Sequence, residues 1–307
     1  MVIETWMAFV LSGIKKHVAN IIGNTIVAIA RPIETAVAAQ VGRVARLVGR
    51  EAGVLPGEAA AELFGMVQGA KEGAVAAYKY FKTEEPQFTG TRQVEARQRA
   101  LPSATIKVGE SEIQLGGKQI RIPLRLLGAE DELFKGIAFR QSINRQAFEI
   151  ATREGLEGSA HSSRVAELSL SPTDEMVEAA RKIADYQTFQ TPLGPTGRAI
   201  QQFANSHILA KLVVPFVRTP INLLKYAGER TPLGLFATEV RDNISGKNGA
   251  AARDTHIARM IVGTSIGVAA YEMAANGLIT GGGPTDSKER AVLRADGWQP
   301  YSVKIGD

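Results

Sequence analysis

A proline corner that occurs twice constrains the fold of this chain more than any other sequence feature. Arg218-Thr219-Pro220-Ile221 is followed twelve residues later by Arg230-Thr231-Pro232-Leu233. Proline has no backbone N–H and its φ angle is already helical, while a preceding threonine can accept a hydrogen bond from a free backbone N–H. The two copies therefore predict capped helix starts at Thr219-Pro220 and at Thr231-Pro232.

The stretch around both corners, Ile208–Phe236, combines apolar residues with a basic excess. The pattern predicts apolar helical segments that must be covered by the rest of the chain, by a partner or by a lipid surface. A third capped start is predicted at Ser171-Pro172, because two acidic residues follow it and acids are favoured in the first turn of a helix. The charged residues of the stretch are Lys211, Arg218, Lys225, Glu229 and Arg230.

The composition favours helices that pack closely through small side chains. Aromatic residues make up only 6% of the 307 residues, whereas 31 residues are glycine. The chain has no cysteine, which excludes disulfides, thiolate metal sites and thiol nucleophiles. The predicted fold class is mainly α, a multi-helix assembly that is elongated or in two parts.

A small β-hairpin insertion is predicted near residues 103–123. Apolar and polar residues alternate over Thr105–Val108, Glu112–Leu115 and Gln119–Pro123, and Gly116-Gly117 suits a tight primed turn between the last two segments. Four regions are therefore predicted: an apolar and basic helical region at 1–81, a linker with the hairpin at 82–125, a helical domain at 126–284 and the start of an incomplete segment at 285–307. Within that segment, Trp298–Lys304 is expected to be a first strand.

Apolar spacing predicts the main helices and their breaks. The first region is expected to be helical over 5–50 with a break at Arg31-Pro32, because proline ends or kinks a helix. Further helices are predicted over 58–81, 126–153, 174–187, 197–214 and 251–276, with a mobile segment at Glu154–Ser163 and a loop at Asp242–Gly249. The apolar side of the helix over 58–81 includes Leu63, Val67 and Val75. The buried side of the helix over 126–153 is predicted to hold Ile137, Phe139, Ile143, Ala147 and Ile150.

No catalytic, cofactor-binding or metal-binding residue is predicted. The four histidines are far apart in sequence, and no GxxxxGK[ST], GxGxxG or GxSxG motif is present. Ser12 and Lys15 match the SxxK spacing of serine acyltransferases, but the other elements of that site are missing. Glu58, Glu132 and Glu272 are the carboxylates considered for an unrecognised enzyme, and ordinary positions on helix surfaces or ends explain them better.

Basic residues spread among apolar ones near the N-terminus predict contact with a polyanion. The chain carries a net charge of +5. Phosphate groups of lipid or of nucleic acid are the predicted ligands, and an ordinary solvated face is the alternative. No helix-turn-helix or zinc-finger pattern supports base readout. The residues assigned to these contacts are Lys15, Lys16, Arg31, Arg43, Arg46 and Arg50.

The uncharged runs of the chain are shorter than a membrane-spanning helix. Met7–Ile14, Val18–Ala30 and Met260–Tyr271 all fall below the ~20 residues that a spanning helix needs. The last run is predicted to be a buried or interfacial helix, and Gly263 and Gly267 are spaced for the close approach of another helix.

Three segments carry a resemblance to a known class of proteins. Leu11–Glu34, Ile122–Lys135 and Pro215–Gly234, together with the C-terminal GWQPYSVKIGD, resemble the helical region of large tailed-phage and prophage proteins. These are virion-associated internal or ejection proteins, and polyvalent proteins that carry transglycosylase, protease or polymerase modules in other regions. The resemblance implies a non-enzymatic structural protein of the phage particle, in its interior or tail, that assists DNA ejection and contacts the host envelope during infection.

Two alternatives stay open beside this expectation. One is a peripheral or channel-forming membrane-active helical protein, and the other is a fragment of a larger phage enzyme, such as one that bears a lytic transglycosylase. The predicted partners are other virion proteins or further copies of this chain, with a membrane surface and non-specific DNA as the candidates for its basic residues. Neither a cofactor nor a small-molecule substrate is predicted.

Overall fold

Helices dominate the architecture, as the sequence predicts. The computed structural model describes residues 2–88, 104–108, 111–115, 120–206 and 216–304. In chain order these residues form α1 (Val2–Leu11), α2 (Ile14–Leu47), α3 (Glu58–Thr83), β1 (Ala104–Val108), β2 (Ser111–Leu115), α4 (Ile122–Arg153), α5 (Gly158–Leu170), α6 (Asp174–Gln187), α7 (Pro195–Ser206), α8 (Arg218–Gly228), a 3₁₀ helix (Pro232–Phe236), α9 (Thr238–Ser245), α10 (Ala250–Ala275) and α11 (Ser287–Ala295).

The most extensive helix pair is α3 against α4, which run antiparallel. Gly65, Gly69 and Gly73 recur every four residues and form the contact face of α3. A Cβ atom on Gly65 would lie 2.4 Å from the carbonyl oxygen of Arg140, so only glycine permits this approach of the two backbones. These helices come from either side of the predicted linker at 82–125, and the core therefore extends across that boundary.

Helix α2 continues through Pro32, where the sequence predicts a break. Proline has no N–H to donate to the carbonyl four residues earlier, which here belongs to Ala28. The buried side chain of Gln141 on α4 reaches that carbonyl instead, with Nε2 2.9 Å from the Ala28 oxygen. The predicted break at Arg31-Pro32 is therefore wrong, and the interruption lies at Ser12-Gly13, between α1 and α2.

An apolar core joins α4, α5 and α6. Ile143 and Ala147 of α4 are completely buried and pack with Leu168 of α5 and with Met176 and Ala180 of α6. The predicted buried side of α4 is confirmed, because Ile137 is also buried and Phe139 and Ile150 pack at the edges of the clusters.

Strands β1 and β2 pair antiparallel, with Ala104 opposite Leu115 and Val108 opposite Ser111. The predicted third strand at Gln119–Pro123 is wrong, because Ile122 begins α4 and Pro123 lies in its first turn, where its missing N–H costs nothing. The predicted turn at Gly116-Gly117 lies outside the described residues.

Two segments expected to be irregular are partly helical. Helix α5 begins at Gly158, inside the segment predicted to be mobile, and α9 extends to Ser245, inside the predicted loop at Asp242–Gly249. Within the described residues, the predicted strand at Trp298–Lys304 contributes one isolated bridge, between Val303 and Ile279. The predicted helix at 197–214 is described as far as Ser206, and residues 207–215 lie outside the described part of the chain.

The predicted caps are partly displaced. Helix α6 is capped by Thr173, whose hydroxyl accepts from the Met176 N–H at 3.3 Å, while Ser171 ends α5 and Pro172 lies between the two helices. Helix α8 already begins at Arg218, so Thr219 is inside its first turn together with Pro220.

At the second proline corner, the predicted helix start is correct but the predicted cap is not formed. Thr231 does precede the 3₁₀ helix, with Pro232 as its first residue. The Thr231 hydroxyl, however, donates back to the Gly228 carbonyl at 3.1 Å and leaves the new helix uncapped by a side chain.

Candidate functional site

Helix α2 turns its polar residues toward the other helices. His17 Nδ1 and Asn20 Nδ2 both lie 2.7 Å from the buried carboxylate of Glu130 on α4. Further along the same face, Arg31 Nε donates to Glu62 Oε1 on α3 at 3.0 Å. The inner face of α2 is thus held to its neighbours by ion pairs and hydrogen bonds, together with small apolar side chains such as Ala28, Ala38 and Ala39.

The opposite face of α2 is apolar and points outward. Its β-branched side chains are all exposed, and the stripe is about 28 Å long at 1.5 Å per residue. That length is close to the ~30 Å of a bilayer hydrocarbon core. We call this surface the α2 stripe; it consists of Ile14, Val18, Ile21, Ile22, Ile26, Ile29 and Ile33.

Helix α3 has the same reversed polarity. Its buried face carries Glu58 and Glu62 in addition to the glycines, whereas Leu63, Val67 and Val75 from its predicted apolar side are exposed. Large apolar side chains normally leave water on folding, at a gain of roughly 25 cal/mol per Å². Exposed apolar faces of this kind are typical of surfaces that bind another protein or a membrane.

A cluster of buried charges joins four separate parts of the chain. Arg230 Nε donates to Glu34 Oε1 on α2 at 2.7 Å, and Arg259 Nε on α10 lies 3.6 Å from the other Glu34 oxygen. Arg259 Nη1 lies 3.7 Å from Glu229, which accepts a 2.5 Å hydrogen bond from the Tyr186 hydroxyl of α6. We call these five residues the ion cluster.

Burial sets the protonation states in and around this cluster. It raises the pKa of the Tyr186 hydroxyl, which stays protonated and donates to Glu229. Burial lowers the pKa of the Arg31 guanidinium, although the Glu62 carboxylate acts in the opposite direction. Burial acts to lower the pKa of Arg230, but the surrounding acidic groups, among them the hydrogen-bonded Glu34 carboxylate, outweigh it, and the pKa is raised. The charged partners are matched, so the cluster acts as a cross-link between helices.

Of the six basic residues predicted to bind phosphate, two interact with other groups of the protein and four are exposed near the ends of the α2 stripe. Arg31 is buried and paired with Glu62, so its assignment as a phosphate contact is wrong. The side chain of Lys16 folds back to donate to the Val10 carbonyl. The remaining residues of the set are exposed at the two ends of the α2 stripe, and these are Lys15, Arg43, Arg46 and Arg50.

Of the three carboxylates considered for catalysis, two are held by other groups of the protein and the third is exposed. Glu58 accepts from the Leu55 N–H and pairs with Arg145, each at 2.7 Å, and burial raises its pKa. Glu132 accepts the backbone N–H groups at 87 and 88, and burial raises its pKa as well. Glu272 is exposed near the end of α10. In the described part of the chain, no three His, Cys, Asp or Glu side chains form a group that could hold a metal ion.

Sequence reasoning missed the ion cluster because its members are scattered along the chain. Arg259 stands between Ala258 and Met260, and Glu34 follows Ile33, and these apolar neighbours on long helices are the one signal that the two charges are buried. Arg31 and Glu34 lie one turn apart on the face of α2 opposite the isoleucines, but their spacing alone does not indicate which of the two faces is buried.

Comparison with known proteins found no matching family model, no matching curated protein and no matching solved structure. Among the described helices, only α2 is long and apolar enough to cross a membrane by length and composition. Core helices of soluble proteins and signal sequences meet the same criterion, so α2 is defined here by its exposed stripe and not as a span.

Proposed function

We propose that this chain is a non-enzymatic structural protein of a tailed-phage virion that assists DNA ejection, and that its α2 stripe contacts the host membrane. The phage assignment rests on the resemblance of its three helical segments to virion-associated proteins. The membrane contact rests on one observation, the reversed polarity of α2. Its isoleucines face outward, while Arg31 and Glu34 on the opposite face are paired inside the protein.

The arrangement of charge around the stripe supports a lipid ligand. Lys15 stands at one end, and Arg43, Arg46 and Arg50 stand beyond the other. Long basic side chains at the edges of an apolar helix face suit anionic headgroups, while the apolar face enters the acyl boundary. Because Arg31 and Glu34 on the inner face of α2 pair with other residues of the protein, the stripe can lie in the plane of the interface without bringing these charges into lipid.

A channel-forming membrane protein is the second candidate, and the length of α2 favours it. In that case α2 would cross the bilayer in an assembly whose interior contains the buried ion pairs. The two candidates differ in whether α2 lies on the membrane or spans it, which leakage of an entrapped dye from vesicles would separate.

Co-sedimentation with vesicles tests the proposal. The purified chain is mixed with neutral and with anionic vesicles at low and at high salt, with duplex DNA as a parallel ligand. Retention on both vesicle types at high salt is expected, because salt screens charge contacts and leaves apolar insertion in place. Ile22→Glu and Ile26→Glu should abolish this retention, whereas Val292→Glu, at an equally exposed valine on α11, should not.

Two outcomes would contradict the proposal. Retention only on anionic vesicles and only at low salt would reduce the contact to charge alone. Binding to DNA in place of vesicles would assign the basic residues to nucleic acid, with a salt dependence that follows the number of phosphates contacted. The virion assignment is tested separately, by mass spectrometry of purified particles from a phage that encodes the chain.

A further inference from the structure

The last three turns of α10 extend beyond the helices that hold its first half. Arg253, Asp254 and Arg259 are buried against α2 and α9, whereas residues Thr264–Ala275, which we call the arm, are exposed on nearly all sides. The root is fixed, because a Cβ on Gly263 would lie 2.1 Å from the Arg230 carbonyl oxygen. Gly267, one turn further on, has no atom within 4 Å.

The arm is apolar all round. Ile266, Val268, Tyr271 and Met273 are exposed on different sides of it, and Glu272 is its one charged residue. A helix with this distribution is normally buried against other helices or in lipid. Within the described part of the chain, no element packs on these turns, so the arm lacks its partner.

A groove on another part of the molecule also lacks an occupant. It lies between α3 and α5 over a floor formed by α4 and has a volume of about 940 Å³. Ala60, Phe64 and Val75 form the wall on α3, and Val165 and Leu170 form the wall on α5. On the floor, Asn144 Nδ2 donates to Gln68 Oε1 at 3.1 Å, and the surface that the groove offers is mainly apolar.

The arm and the groove match in length and in charge. The groove extends about 22 Å along α3 and about 14 Å along α5, and the arm is about 17 Å long at 1.5 Å per residue. Lys71 is exposed at the rim and has no ion-pair partner among the described residues. Glu272 near the end of the arm is likewise unpaired there, and the two charges are complementary.

We propose that the arm of one copy of this chain docks in the groove of a second copy, with Glu272 of the first copy beside Lys71 of the second. The proposal rests on the structural role proposed above and names the interface through which copies assemble. Because the arm and the groove are different surfaces, the contact is head-to-tail. Such contacts produce a ring where the rotation closes and a filament where it does not.

Cross-linking between singly substituted chains tests this directly, since the native chain has no cysteine. Ala166→Cys places one thiol in the groove, and Ala270→Cys places one thiol on the arm. A short bis-maleimide should join the two variants when they are mixed, and it should join neither variant to itself. Glu178→Cys, exposed on α6, replaces the groove variant as a control and should give no product with Ala270→Cys.

Two further substitutions test the contact itself. Ile266→Glu in the arm variant should lower the cross-linked yield about tenfold or more, because it buries an unpaired charge in an apolar groove. Leu224→Glu, at an exposed leucine on α8, should leave the yield unchanged. Lys71→Glu should also lower the yield, and combining it with Glu272→Lys on the arm should restore it.

A groove–arm product no more abundant than the Glu178→Cys product would overturn the proposal. So would a charge exchange that restores nothing. If Ile266→Glu removed vesicle binding and left the cross-link unchanged, the arm would be a lipid ligand instead. Ile22→Glu in the α2 stripe should reduce vesicle retention without affecting the cross-link, so failure of the membrane contact and failure of this interface are distinguishable.

Discussion

Glu34 and Arg230 lie 196 residues apart in the sequence and form a two-bond ion pair, with Arg230 Nε and Nη2 donating to the two Glu34 oxygens at 2.7 and 3.0 Å. The Arg230 guanidinium also stacks on the Tyr226 ring, 3.3 Å from its centroid. The pair fixes the residue before the second proline corner to the middle of α2. The corner is therefore held by a distant charge and not by its own cap.

Removing one partner of this pair should destabilise the protein strongly. Glu34→Gln is expected to lower the free energy of unfolding by about 3 kcal/mol, because it leaves the Arg230 charge buried without its partner. Arg230→Met should cost a similar amount, and the double variant should cost less than the sum. Urea denaturation measures all three, and strict additivity would show that the pair is not coupled. Glu178→Gln, in the exposed pair with Lys182, should leave the free energy of unfolding nearly unchanged.

Two glycines within helices should respond oppositely to alanine. Gly65→Ala is expected to destabilise by about 1–3 kcal/mol, because its Cβ would meet the backbone of α4. Gly23→Ala on α2 should stabilise by up to about 1 kcal/mol, because no atom lies within 4 Å and alanine favours the helix. Thermal unfolding of both variants checks the pair of signs. Equal effects would mean that α3 and α4 do not approach as closely as described.

His256 should make stability fall in mild acid. Burial and then the Arg259 charge lower its pKa below the ordinary 6.5, and its Nε2 lies 3.3 Å from Asn243 Nδ2, which suits a neutral ring. Because the unfolded chain takes up the proton first, the stability that His256 contributes is fully present above pH 6.5 and is lost as the pH falls toward the folded-state pKa.

The measurement is the difference in unfolding free energy between wild type and His256→Gln, taken from pH 7.5 to pH 5. As the pH falls between the two pKa values, wild type should lose about 1.4 kcal/mol of unfolding free energy relative to the variant for each pH unit. The variant retains the neighbouring charges of Arg259, Glu229 and Glu239, so their titration cancels in the difference. A difference that does not change with pH would refute the neutral buried ring.

Thr173 and Thr219 should differ in how much each contributes to the stability of the protein. Thr173→Ala is expected to cost about 1 kcal/mol, because its hydroxyl caps α6 by accepting from the Met176 N–H. Thr219→Ala should be neutral or slightly stabilising, since Thr219 lies inside α8 and alanine is the better helix former. Denaturant midpoints distinguish the two, and an equal loss would restore Thr219 as a cap.

The sequence predicts the helices of this protein better than the direction in which their faces point. The bounds of α3, α6 and α10 follow from spacing and helix-start signals, because these depend on neighbouring residues. The orientation of α2 does not, since an apolar face is expected to be buried and the isoleucines face outward. What decides the orientation is the set of partners for Arg31 and Glu34, and those partners lie on helices far away in sequence.

The candidate binding surfaces could be predicted from the sequence only in part, for a similar reason. Basic residues beside apolar ones predict a polyanion contact, but spacing does not separate the exposed Arg43 from the buried Arg31. Gly263 and Gly267 predict close helix approach, and one of the two is used inside the chain while the other remains open. The groove between α3 and α5 has no local sequence signature, because it forms only when both helices dock on α4.

The hydrogen bond from Gln141 to the Ala28 carbonyl links the continuity of α2 at Pro32 to the position of α4. If Gln141 is not in place, the Ala28 carbonyl has no hydrogen-bond donor, because Pro32 cannot supply one. The helix could then bend near Pro32, between its isoleucine-bearing part and its arginine-bearing part. The unbroken course of α2 at Pro32 thus depends on the packing of α4, and loosening α4 would allow α2 to bend there. In the virion role proposed above, such a joint would let the chain bend as it leaves a filled capsid through a narrow tail.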